Sequence, residues 1–368
     1  MKKIRVLIVD DSVVVRRFLR NALRSDAGIE VVGVASNGRL GLEQVRRLNP
    51  DLVVLDIEMP EMNGLEMLTE LRASDVRIPV IMFSTLTERG ASATLEALSR
   101  GASDYVTKPT NSSSLEDAMD DVRAQLLPRI KALAGPPESV EAPKERSPTP
   151  RVWSSRRVRS SKISAVVIAV STGGPEALAR VIPVLPADLA VPVLIVQHMP
   201  PVFTRMLAER LDAKSGLTVR EGVAGAVVRP GDVWIAPGGR HMEVVRRSTG
   251  IEITLQDGPP ENSCRPAADV LFRSAVRVWG GALLGVVMTG MGQDGFLGST
   301  AIWEEGGRVL AQDEKTSVVW GMPGAVAAAR IVDQILPLEE LGSAMTRMVS
   351  ATASSSRLDV ASGLTKGS

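Results

Sequence analysis

Three polar residues in the second half of the chain have the types a covalent hydrolase needs, and each follows an apolar run. Ser171 ends Ala165–Val170 within Ser164-Ala-Val-Val-Ile-Ala-Val-Ser-Thr-Gly-Gly-Pro-Glu176, and His198 follows Val193-Leu-Ile-Val-Gln197. Asp294 lies in Thr289-Gly-Met-Gly-Gln-Asp-Gly295, behind Ala282–Met288. A serine hydroxyl is a weak nucleophile until a base takes its proton, and imidazole is the side chain that does this at neutral pH. The chain has two histidines, His198 and His241. His241 follows Pro237-Gly-Gly-Arg240 and opens the strand pattern Met242–Val245, which in a parallel sheet puts it at the end opposite Ser171 and favours His198. Asp294, in a glycine-rich loop, is placed to reach the far imidazole nitrogen, fix its tautomer and stabilise the imidazolium. Read alone, residues 171–176 are equally a phosphate-binding or structural turn, because Gly173 and Gly174 admit close backbone approach and Pro175 suits the first turn of a helix. The order Ser, His, Asp and the lack of a G-x-S-x-G elbow disfavour an ordinary esterase or lipase.

The first half carries a different set. Asp10 and Asp11 close one apolar run and Asp56 closes another, while Ser84 and Lys108 close two more. In a doubly wound sheet such ends converge at the topological switch point. Three gathered carboxylates repel one another unless a cation joins them, and an oxygen-only ligand set suits a hard ion such as Mg²⁺. A hydroxyl and an ammonium in the same pocket match the spare oxygens of a phosphoryl group, so Asp56 reads as an acceptor that forms an aspartyl phosphate.

The elements that must hold these residues are legible as α/β. Ile4–Val9, Glu30–Ala35, Leu52–Leu55, Val80–Phe83 and Asp104–Thr107 alternate with helical patterns such as Val15, Phe18, Leu19, Ala22 and Leu23, which predicts a parallel sheet covered on both faces. A second helical spacing, Leu115, Met119, Val122 and Leu126, follows the cap candidates Ser112–Ser114. The second half begins another unalternating, buried-strand pattern at Ala165. The reading is therefore two doubly wound parallel-sheet domains, over 1–127 and 163–350. Between them, 128–162 is rich in Pro, Ser and charge and reads as a flexible tether that ends in the basic cluster Arg156, Arg157, Arg159 and Lys162, taken as a solvated face. Residues 351–368 read as a disordered tail.

Composition narrows the function classes. A chain of 368 residues suggests two domains plus linker, and 44% hydrophobic with 23% charged residues describes an ordinary globular protein. Net charge is +1 and aromatic residues make up 3%, which argues against nucleic acid as the main partner. No run approaches the roughly 20 apolar residues of a membrane span, and the start Met1-Lys2-Lys3-Ile4 has too short an apolar run for a signal peptide. Cys264 is the only cysteine, so no internal disulfide forms and a cytoplasmic location fits; without a second thiol or an adjacent histidine, Cys264 reads as a small idle thiol.

Two resemblances sharpen the expectations. The set Asp10, Asp11, Asp56, Ser84, Tyr105 and Lys108-Pro109 resembles the receiver domain of two-component response regulators. It implies that Asp56 is the phosphoacceptor, that Asp11 and Asp56 bind Mg²⁺ with the backbone carbonyl of Glu58, and that Ser84 and Tyr105 are the switch pair. Ser171-Thr-Gly-Gly-Pro-Glu-Ala, Gln197-His-Met-Pro-Pro-Val-Phe-Thr, Ile235-Ala-Pro-Gly-Gly, Met288-Thr-Gly-Met-Gly-Gln-Asp-Gly and Gln312–Pro323 resemble the effector domain of bacterial chemotaxis protein-glutamate methylesterases. That resemblance implies Ser171 as nucleophile, His198 as base and Asp294 as orienting acid. It also implies hydrolysis of receptor glutamate methyl esters, deamidation of certain glutamines and phosphorylation by a chemotaxis histidine kinase. Backbone N–H groups near Thr172 and in the Met291 loop are the oxyanion candidates. Val170 stands where that family usually has alanine. A regulator that only binds partners would not need Ser171, His198 and Asp294, and a transcription regulator would need a helical, basic output domain that the pattern after Lys162 does not offer.

Overall fold

The computed structural model describes residues 2–109, 114–135 and 162–363, with side chains as far as residue 351. The chain divides into two units, Met1–Ser139 and Val140–Ser368.

The first unit runs β1 (Ile4–Val9), α1 (Val13–Leu23), β2 (Ile29–Ala35), α2 (Gly38–Leu48), β3 (Leu52–Asp56), α3 (Gly64–Ala73), β4 (Val80–Ser84), α4 (Glu88–Ser99), β5 (Asp104–Thr107) and α5 (Leu115–Ala134). The five strands form one parallel sheet in the order β2-β1-β3-β4-β5. β3 and β4 are buried at every position, as strands covered on both faces must be, and this is why they read as unbroken apolar runs. Ser12, Asn37, Asn63, Thr87 and Ser114 each cap the helix they precede by accepting a backbone N–H of its first turn.

The helix α5 corrects one expected boundary. It continues through Pro128 to Ala134, seven residues past the point where the tether was placed. Proline inside a helix costs about 3 kcal/mol. Burial of Ile130 contributes roughly 1.5–3 kcal/mol against that cost. Two ion pairs add to it, Arg129 to Asp104 at 3.0 Å and Lys131 to Asp26 at 2.5 Å. The rest of the tether through residue 161, with Arg156, Arg157 and Arg159, lies outside the described residues, as do Ser112 and Ser113.

The second unit contains β6 (Ala165–Val170), α6 (Gly174–Val181), β7 (Val193–Gln197), α7 (Phe203–Asp212), β8 (Thr218–Glu221), β9 (Asp232–Ile235), β10 (His241–Arg247), β11 (Gly250–Gln256), α8 (Ala268–Trp279), β12 (Leu283–Val287), α9 (Phe296–Glu304), β13 (Arg308–Gln312), α10 (Met322–Ala328), β14 (Gln334–Leu336) and α11 (Leu338–Gly363). Seven strands form a parallel sheet in the order β14-β13-β12-β6-β7-β9-β8, so the chain reverses its direction of growth beside β6. The α/β class with two parallel sheets is borne out. The strand that opens with His241 departs from expectation: β10 pairs antiparallel with β11 in a separate two-stranded sheet. At the other end, α11 runs to Gly363 where a disordered tail was expected from 351. Between Ala351 and Ser362 the sequence has no Pro or Gly to stop a helix, and Gly363 is where it ends. No helix among the described residues is long and apolar enough to cross a membrane.

Candidate catalytic and phosphoacceptor sites

In the second unit β12, β6 and β7 are neighbours, and the loops that follow them emerge together. Val170 is the register partner of Gln197, so Ser171 and His198 leave adjacent strands one residue beyond a paired position. His198 N donates to Val170 O at 3.3 Å, and Ser171 N donates to Thr289 O at 3.0 Å. Behind the serine, Gly173 takes a φ of 77° and Gly174-Pro175 open α6, which leaves the helix N-terminus beside Ser171. A Cβ on Gly290 would lie 2.8 Å from the Ser171 Cβ, so the Gly290-Met291 segment reaches the serine only because residue 290 is glycine. Thr289 binds this assembly: its Oγ1 donates to Thr172 O at 2.9 Å and accepts from Val318 N and Val319 N, both at 3.1 Å.

Asp294 and His198 meet at 2.7 Å, Oδ2 to Nε2. The Asp294 carboxylate is buried, and four N–H groups of its surroundings converge on it. Oδ2 accepts from Ala268 N at 2.6 Å, and Oδ1 accepts from Asp269 N at 3.0 Å, Gly295 N at 2.9 Å and Asn262 Nδ2 at 3.0 Å. Ala267 has no side-chain oxygen to cap α8, so Asp294 does so from a distant loop. Burial alone would raise the Asp294 pKa. The hydrogen bond and charge of His198, with the N–H groups of Ala268 and Asp269, outweigh it and hold the group below the ordinary carboxylate value. Burial likewise opposes a charged His198, but Asp294, together with Cys264, raises the imidazole above its ordinary value.

Cys264 corrects the expectation of an idle thiol. Its Sγ stands 3.5 Å from Nδ1 of His198, a neighbour 66 residues away in the chain and therefore invisible to a search for adjacent histidines. His241 is engaged elsewhere. Its Nδ1 accepts from Ala267 N at 3.2 Å, which leaves Nε2 to donate to Pro259 O at 3.0 Å, and the side chain is buried. Both its ring nitrogens are committed to backbone groups, whereas Nδ1 of His198 faces only a thiol, a weak partner that a serine can displace.

Two further residues of this centre had no motif to announce them. Asp269 is buried beside Asp294, linked to it by Asn262, whose Nδ2 donates to a carboxylate oxygen of each at 3.0 Å. Burial pushes Asp269 up to about 6, against the Gly298 N–H that favours its charged form. Neither residue ends a strand, which is the signal that found the others.

In the first unit Asp10, Asp11 and Asp56 each offer an oxygen within 4.8 Å of the others. Asp10 and Asp56 are buried and Asp11 is exposed. Lys108 reaches across the strand ends, with Nζ 2.8 Å from Asp56 Oδ1 and 3.3 Å from Asp10 Oδ2. Burial pushes Asp56 up to about 6 despite that ammonium, and Lys108 is raised because its bond to Asp56 outweighs its own burial. Lys108 thus pairs with two of the three carboxylates, and the remaining negative charge, all on oxygen, fits a hard divalent ion. The Glu58 side chain is turned outward to Arg89 at 3.2 Å, so only its backbone is left to serve the cluster. Ser84 is buried and its Oγ donates to Gly90 O at 3.2 Å. Tyr105 is buried on β5, and burial raises its phenol above the ordinary value.

The comparisons with known proteins follow the same division. Residues 166–345 match the family model "CheB methylesterase" and residues 6–120 match "Response regulator receiver domain". A protein-glutamate methylesterase/protein-glutamine glutaminase of Trichodesmium erythraeum is 49% identical over 95% of this chain and 100% of its own length. A second protein of that description, from a Nocardioides species, is 51% identical over 94% of this chain and 96% of its own. The crystal structure of the Thermotoga maritima CheB methylesterase catalytic domain is 38% identical, covers 51% of this chain and 98% of that one, and superposes with a TM-score of 0.49.

Proposed function

The chain belongs to the CheB methylesterase family, as a protein-glutamate methylesterase and protein-glutamine glutaminase with a receiver domain, and we propose how its residues divide that work. Ser171 is the nucleophile, His198 its base and Asp294 the acid that holds the imidazole. The observation that carries this reading is the 2.7 Å contact of Asp294 with His198, which follows the strand paired with the one that Ser171 follows.

Ser171 Oγ attacks the γ-carbonyl of a methylated glutamate and its proton passes to His198. The tetrahedral oxyanion is held by backbone N–H groups, with Thr172 and Met291 as donors, each worth about 3 kcal/mol in comparable sites. Methanol leaves with the imidazolium proton, or ammonia when the substrate is a glutamine. Water then repeats the attack on the acyl-serine and frees the glutamate carboxylate and Ser171.

In the receiver, an Asp56 oxygen takes a phosphoryl group. With Asp56 pushed up to about 6, the carboxyl is ionised at neutral pH and nucleophilic. Asp10, Asp11 and Asp56, with the backbone carbonyl of Glu58, would hold Mg²⁺, which neutralises charge on the phosphoryl oxygens. Lys108 orients the carboxylate and Ser84 and Tyr105 read the phosphorylated state. The partners are methylated chemoreceptors as substrate and a chemotaxis histidine kinase as phosphodonor, met in the cytoplasm. Because one chain carries both units, the receiver meets the esterase unit at high effective concentration. The test is methanol release from methylated receptor membranes with and without a small-molecule phosphodonor: release that rises with the donor supports the reading, and none in either condition removes it.

A further inference from the structure

One buried polar side chain beside Ser171 has no part in the proton relay. Gln197 ends the otherwise apolar β7 and is 2% exposed. Its Nε2 donates to Ser171 O at 3.0 Å and to His198 O at 3.4 Å, and two carbonyl acceptors identify that atom as the nitrogen. Its Oε1 is buried without a hydrogen-bond partner among the described residues, lying so close over Gly174 that a Cβ there would be 1.9 Å away.

An unsatisfied buried acceptor is unfavourable, and a leucine or methionine would fill a similar volume without one. The amide therefore has a role that packing does not explain. Ser171 O takes two donors, Gly174 N at 2.7 Å and Gln197 Nε2 at 3.0 Å, which together occupy both of its lone pairs. In a planar trans peptide the N–H points opposite the C=O, so fixing the Ser171 carbonyl fixes the direction of the Thr172 N–H. Thr289 secures the peptide units on either side, through Ser171 N and Thr172 O.

We propose that Gln197 is a positioning residue for the hydrolysis: its amide sets the plane of the 171–172 peptide, aims the Thr172 N–H at the oxyanion, and ties that peptide to the backbone of His198. The inference rests on the reading of Ser171 as nucleophile. In the full-length protein, Gln197→Leu and Gln197→Met keep the volume and lose both donors. Removing an oxyanion donor outright lowers kcat about 10²–10³-fold, and losing its alignment is expected to lower kcat about 10–100-fold. KM should stay within about twofold, as expected for an interaction made in the transition state. Affinity for an alkylboronic acid, whose serine adduct is a tetrahedral anion, should fall in step with kcat while the thermal midpoint holds or rises. If either folded variant keeps kcat within about twofold, or loses kcat with boronate affinity intact, the inference is overturned. Ser171→Ala separates the two failures: turnover surviving that substitution defeats the nucleophile reading, whereas a dead Ser171→Ala beside an unaffected Gln197→Leu defeats the Gln197 inference alone.

Discussion

Asp294 holds His198 with the same carboxylate oxygen, Oδ2, that takes the backbone N–H of Ala268, so one side chain both fixes the imidazole and closes the start of α8. Two losses therefore accompany its removal. Asp294→Ala is expected to lower methanol release by about 10³-fold or more and also to destabilise the second unit by about 1–2 kcal/mol, the value of a lost helix cap. Urea unfolding beside Ser171→Ala measures the second loss, and equal midpoints would show that Asp294 does not cap the helix.

Ser171→Ala removes the proposed nucleophile and leaves every hydrogen bond described around it, since all of those run through its backbone. The expected result is a fall in methanol release of at least about 10³-fold with circular dichroism unchanged. Turnover at the wild-type rate would take Ser171 out of the mechanism.

Cys264 contributes to keeping His198 protonated to higher pH. A base works in its neutral form, so whatever lowers its pKa extends activity toward acid. Cys264→Ala is expected to move the acid limb of the kcat/KM profile to lower pH, with the plateau rate within roughly threefold of wild type. A limb that stays in place, or moves toward alkali, would show that the thiol does not tune the imidazole.

The receiver site makes the opposite kind of prediction. A carboxyl must lose its proton before it can ligate a metal, and Asp56 is pushed up to about 6. Mg²⁺ affinity measured by calorimetry is expected to be nearly flat above pH 7 and to fall about tenfold per pH unit below about 6. An affinity constant down to pH 5 would take Asp56 out of the ligand set.

A chain beginning at Lys162 lacks Asp56 and the rest of the receiver. It is expected to release methanol without a phosphodonor at least as fast as the unphosphorylated full-length protein. A slower rate would show that the unphosphorylated receiver supports the esterase unit and does not restrain it.

Much of this architecture is legible in the sequence because strands buried on both faces, such as Ala165–Val170 and Leu52–Asp56, are continuous apolar runs whose ends are marked by a change to polar residues. Ser171, His198, Asp10, Asp56 and Lys108 all stand at such ends or just beyond them. The residues that escaped notice owe their positions to long-range folding: Cys264 reaches His198 from 66 residues away, and Asn262 bridges Asp269 and Asp294 from a turn in which it adopts a φ of 51°. Pro128 misled for the opposite reason, since a local rule against proline in helices was overridden by packing and by ion pairs of the residues just after it.

The pairing of Val170 with Gln197 carries a consequence for engineering. Side chains alternate between faces along a strand, so inserting or deleting one residue within 165–170 would turn the serine to the other side of its layer while the histidine stayed put. Loops around this centre can be lengthened or exchanged by design, but the two strands that deliver hydroxyl and imidazole act as a vernier whose smallest division is one residue, and no loop redesign can make up a missing count.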